Sequence, residues 1–111
     1  MGFTATENKG FRMNFENGFT ISVQWGTMNY CEKKNLGAEY KDEMKEPIWA
    51  STSAEVAVFN DEGIVPVGNS DAVIGWCSAD EVATVIAIVQ SAHPDNQEEM
   101  VEEIKVLKTN I

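Results

Sequence analysis

The sequence predicts an α+β fold, a small and mostly antiparallel sheet of four to five strands with two C-terminal helices packed on one face. Three observations carry this prediction. Residues 10–26, GFRMNFENGFTISVQWG, alternate apolar and polar on both sides of Asn17-Gly18. Residues 53–76 contain short runs rich in β-branched side chains, separated by turn clusters. From Val82 onward the apolar positions recur at helical rather than alternating spacing.

A chain of 111 residues is read as one domain, 1–111, long enough to bury roughly two thirds of its extended surface. With 43% hydrophobic residues it belongs among globular proteins, so the net charge of −10 lies on a folded surface. That charge argues against direct binding to a nucleic-acid backbone or to an anionic membrane, both of which recruit Lys and Arg. It permits a basic partner. The start of the chain lacks a basic n-region and an apolar h-region, and no run reaches the roughly 18 apolar residues of a span, so a soluble, non-exported protein is expected.

Residues 1–9 are polar and unpatterned and are expected to fray. Phe11, Met13 and Phe15, then Phe19, Ile21, Val23 and Trp25, form a hairpin, and Asn17-Gly18 suits the positive φ angles of a type I′ turn. Residues 27–50 then form a long insertion without a period of two. Within it, residues 38–45 combine good helix formers with Tyr40 and Met44 one turn apart, and Pro47 stops the helix. Residues 53–59 read as a strand, 60–63 as a turn, and 64–67 as an edge strand, because Pro66 has no N–H for a ladder. Residues 72–76 form a further short apolar run.

Ser78-Ala-Asp-Glu81 is a capping box, followed by Val82, Val85, Ile86 and Val89 on one helix face. Ile88 lies off that face. The helix over 78–91 is therefore covered on a second side, by the other helix or by another subunit of a homo-oligomer. After His93-Pro94, residues 95–111 form an acidic helix with Met100, Ile104, Leu107 and Ile111 as its apolar stripe and Glu98, Glu99, Glu102 and Glu103 on its other side.

Reacting groups are sparse. His93 is the one histidine and ends a helix, where its structural reading comes first. Cys31 and Cys77 are read as reduced, packed thiols, although Lys33 and Lys34 would favour a thiolate at Cys31. No metal-ligand spacing and no glycine-rich phosphate loop occurs, so no enzyme activity, metal or cofactor is expected. The binding set is clearer. Trp25, Asn29, Tyr30, Trp49, Lys33 and Lys34, with the lone arginine Arg12, supply the aromatic and cationic groups of a base-stacking, phosphate-neutralising pocket or of a protein-binding hot spot. For Trp25 the alternation favours a core position, which leaves the loop residues free.

The segments FENGFTISVQWG, NYC, SAEVAVFNDEG and DAVIGWCSADEVATVI together resemble a group of small bacteriophage-encoded proteins with a similar hairpin, WG…NYC loop, AEVAV-like strand and GW-x-S/T helix start in the same order. The likeness covers roughly residues 11–89 and brings no site residues with it. It implies a viral accessory protein in the host cytoplasm, of the kind that inhibits host defence. The absence of a catalytic set, the aromatic-rich insertion and the acidic surface, read from the residues, then predict that it binds a host bacterial protein through residues 27–50 or through the acidic surface. The alternative is a sponge that sequesters an anionic nucleotide messenger between subunits. Lys33, Lys34 and Arg12 would then neutralise phosphates, and Tyr30 or Trp49 would stack on the base.

Overall fold

The period-two segments form one six-stranded sheet in a computed structural model that describes residues 1–7, 9–34 and 48–109. Its strands are β1 Gly2–Thr6, β2 Gly10–Asn14, β3 Thr20–Gln24, β4 Ala54–Asn60, β5 Gly63–Val65 and β6 Ile74–Cys77, and two helices follow, α1 Ala79–Ser91 and α2 Gln97–Thr109. All pairings are antiparallel, in the order β1-β2-β3-β4-β5, with β6 also on β4. The expected α+β arrangement is the one found. The expected helix over 38–45, Pro47 and Ile111 lie outside the described residues.

Two local expectations are corrected. Gly2–Thr6 is a strand rather than a frayed lead-in, paired with β2 from Gly2↔Asn14 to Thr6↔Gly10. Phe3 and Ala5 do alternate with Thr4 and Thr6, but the run is short and weakly apolar because no helix covers this edge: Phe3 points to the helix side of the sheet and is still 80% exposed. The hairpin between β2 and β3 also turns differently from a type I′ loop. Phe15 N–H donates to Phe19 O at 2.9 Å, which leaves three loop residues, and Gly18 alone has a positive φ, +93°. Parity requires this. A two-residue turn would pair Glu16 with Phe19 and put Phe11 and Met13 on the opposite face from Ile21 and Val23.

With the observed register, Phe11, Val23 and Val56 form one cross-strand row and Met13, Ile21, Val58 and Val65 the next, all facing the helices. Val82, Val85 and Val89 of α1 close over this face, and Met100 and Ile104 of α2 complete the core. Ile88 is partly buried on the α2 side, so the second helix supplies the extra cover within one chain. The capping box forms as expected, with Glu81 N–H donating to Ser78 Oγ at 3.2 Å and Ser78 N–H to Glu81 Oε1 at 2.8 Å.

The far end of α1 is held from a distance. Asn17 Nδ2 of the hairpin turn donates to Val89 O at 2.8 Å, Ala92 O at 2.9 Å and Gln90 O at 3.2 Å, at the helix end where carbonyls run out of i+4 donors; Val89 O also takes the Ala92 N–H at 3.3 Å. Asn17→Ala should therefore cost about 1–2 kcal/mol of stability in urea unfolding. Asn17→Asp should cost at least as much, because a carboxylate cannot donate and its charge opposes the helix C-terminus. A change within about 0.3 kcal/mol in both variants would contradict this role.

β3 occupies one edge of β4 through residues 55–59, so β5 at 58–60 and β6 at 54–56 share the other edge. The chain between them, 66–73, leaves the sheet and returns, closed by Val67 N–H on Ala72 O at 3.1 Å. Along β6 the register slips: Ile74 faces Val56 and Cys77 faces Ala54, three steps against two. Such a bulge re-aims a side chain.

Candidate aromatic binding site

The site is built from the loop after β3, the start of β4 and that bulge. Asn29 organises the loop from within. Its Oδ1 accepts from Gly26 N–H at 2.9 Å, and its own N–H donates to Gly26 O at 3.2 Å. Cys31 N–H then donates to Asn29 O, Lys34 N–H to Cys31 O, and the buried Cys31 thiol to Gly26 O at 3.4 Å. Glu55 on β4 clamps the crest, accepting from Tyr30 N–H at 2.8 Å and from Asn29 Nδ2 at 3.3 Å.

A second clamp runs the other way. Glu32 N–H donates to Ser53 Oγ at 2.9 Å, and Thr52 N–H donates to Glu32 Oε1 at 3.0 Å. The Thr52 hydrogen bonds, with a smaller contribution from the Lys33 charge, hold the Glu32 carboxyl below the usual carboxylate range. This loop segment is thus fixed before any ligand arrives.

On this base two aromatic rings meet at the surface. Trp76 N–H donates to Tyr30 O at 2.8 Å, and the rings lie 5.6 Å apart at a 35° tilt, with Tyr30 36% and Trp76 55% exposed. Lys34 Nζ sits 4.8 Å from the Tyr30 ring centroid, a cation–π contact. Trp76 has φ +52°, in the left-handed region that costs a side-chain-bearing residue roughly 1–2 kcal/mol. Its neighbour Gly75 has no room for a side chain, because a Cβ there would lie 2.8 Å from Tyr30 Cβ. Backbone strain and close approach both serve to present the Trp76 ring. Beside the pair opens a cleft of 320 Å³ whose other wall is the excursion Gly68, Asn69, Ser70 and Asp71.

The residues expected to bind are divided by the fold. Tyr30 and Lys34 are at the site, and Asn29 supports it. Trp49 is not a free loop residue: it is 7% exposed, its Nε1 donates to Trp25 O, and Trp25 Nε1 donates back to Trp49 O, both at 3.0 Å. The insertion returns to the sheet through this reciprocal pair, which is why Trp49 is buried. Lys33 lies 5.6 Å from the Trp49 ring centroid and 3.9 Å from Glu32 Oε1. Arg12 is on the helix-free face in the row of Ser22 and Ala57, and its guanidinium lies 4.8 Å from the Phe59 ring centroid, in the next row toward the hairpin turn and away from the loop. The three cations therefore do not converge.

Trp76 is the residue that sequence reading missed. The available signal was its position, between Gly75 and a helix cap, where a strand has to bend. Among the candidate reacting groups, His93 accepts from Asp95 N–H at 3.1 Å through Nδ1 at the end of α1, and Cys77, like Cys31, is buried. Among the described residues no three His, Cys, Asp or Glu side chains are grouped to hold a metal, and no helix is long and apolar enough to cross a membrane. No protein-family model, curated protein or solved structure matches the chain.

Proposed function

We propose that this chain is a non-enzymatic binding protein, a phage accessory factor that blocks a host defence protein by direct contact, with the Tyr30–Trp76 pair as the centre of its contact surface. The observation that supports this is the exposed aromatic pair itself, formed by residues from two separate motifs, NYC and GWC, and held by a pre-bonded loop. Trp and Tyr dominate binding hot spots, and a loop ordered in advance loses little entropy on association. The test is capture from infected host cells with the tagged chain. A stoichiometric host protein is expected with wild type and is expected to be lost with Tyr30→Ala and with Trp76→Ala, the melting temperature of each variant staying within a few degrees. Capture that survives both substitutions would refute this surface.

A second reading has one specific observation behind it, the Lys34 ammonium over Tyr30 beside a cleft walled by the amide and hydroxyl of Asn69 and Ser70. These groups suit an anionic nucleotide messenger stacked on the aromatic pair, with Lys34 facing its phosphates. Native mass spectrometry with a panel of cyclic and linear nucleotides separates the two readings. A nucleotide adduct that disappears in Lys34→Gln would replace protein capture as the function.

A further inference from the structure

From Val82 to Ser91, α1 carries no charged side chain, whereas α2 exposes Glu99, Glu102 and Glu103 beside it. Between these two surfaces lie Ile88, Leu107 and Val106, the last 48% exposed although its neighbours Ile104 and Met100 are fully buried. Two clefts, of 460 and 210 Å³, share Ile88, Glu99 and Glu103 and so run together as one groove from Asn96 to Leu107. Eleven helical steps correspond to about 16 Å, or three turns. Toward Leu107 the floor is apolar, formed by Ile88, Val106 and Leu107, toward Asn96 it is polar, with Ser91 and His93, and the α2 wall is acidic.

A groove of this length between two helices fits a third helix laid along it, anchored by side chains at i, i+3/i+4 and i+7. Charge decides what kind. A second copy of this chain would bring the same glutamates across a two-fold axis and a further net charge of −10, so self-association here is opposed. A lysine- or arginine-flanked helix meets the opposite sign along the whole wall and buries Val106 in the same step. We infer that the α1–α2 groove docks a cationic amphipathic helix of a partner protein. The groove shares no residue with the Tyr30–Trp76 pair or its cleft, so this second surface stands or falls independently of the first.

The probe is a fluorescein-labelled peptide of about four turns with leucine at groove-facing positions and lysine elsewhere, compared with its glutamate-for-lysine counterpart. The full chain should bind the lysine peptide and ignore the glutamate peptide in fluorescence anisotropy. Val106→Ser, which leaves every charge in place, should weaken binding about tenfold. Glu102→Lys with Glu103→Lys should abolish it. Asp61→Lys with Glu62→Lys, the same change in net charge at the β4–β5 turn, should leave it within about twofold at physiological salt. If the two charge reversals weaken binding equally, or if Val106→Ser leaves it unchanged, the peptide is merely attracted to an acidic protein and the groove is not a docking site.

Discussion

Trp49→Ala should destabilise the domain by about 3–5 kcal/mol, the cost of emptying a buried indole site, in urea or thermal unfolding. The loss is large because the side chain does two things at once. Its ring is buried to 7% exposure, and its Nε1 satisfies Trp25 O while its own carbonyl satisfies Trp25 Nε1. Truncation removes the ring and one of the two bonds, leaving Trp25 O without its donor. Against a typical domain stability of 5–15 kcal/mol, that is a major fraction. Trp49→Phe, which keeps most of the ring and loses only the donor, should cost noticeably less. Equal stability of wild type and Trp49→Ala would mean that the reciprocal pair does not fasten the insertion to the sheet.

Trp76→Gly should have the opposite signature, near-wild-type stability with partner binding weakened by at least 2 kcal/mol, about thirtyfold. The side chain contributes roughly 0.5–1.5 kcal/mol of stability through its contact with Tyr30. Its backbone at φ +52° costs a similar amount, which glycine does not incur. Trp76→Ala loses the ring but keeps most of the strain, so it should be less stable than Trp76→Gly although its side chain is larger. Calorimetry on the two variants checks the order, and capture of the partner checks the binding. If Trp76→Gly is the less stable of the two, the strained backbone is not held by the surrounding fold in the way described.

Much of the scaffold was legible because burial imposes a period. Ile21, Val23, Val56 and Val58 alternate since one face is covered by helices, and Ser78 with Glu81 announces α1 through local hydrogen bonding alone. Where burial was slight, the signal was weak too: Gly2–Thr6 lies at an uncovered edge, and only Phe3 and Ala5 mark its helix-side face. The turn at Asn17-Gly18 shows a different limit. Dipeptide preference pointed to type I′, but register parity between Phe15 and Phe19 had to be obeyed, and Asn17 was needed at the end of α1, 72 to 75 residues away. For the site, Tyr30 and Lys34, four residues apart in one loop, are neighbours in space. Composition could not separate Trp49, which is buried by its bond to Trp25, from Trp76, which a bulge turns outward. Both facts depend on which strands pair, information that no single segment contains.

The shared edge of β4 has an implication for how recognition can change. Because β5 and β6 each hold their own register on that strand, and Val67 anchors the excursion 66–73 in the core, the tip Asn69 to Asp71 is bounded on both sides by contacts that do not depend on its own sequence. Residues of one wall of the cleft, Asn69 to Asp71, can thus be exchanged or lengthened without altering the core, while the aromatic wall stays fixed by Glu55 and by the bulge. If partner binding runs through this cleft as proposed, a constant aromatic anchor faces an exchangeable selector, and substitutions at Asn69 to Asp71 would change the partner while leaving the grip intact.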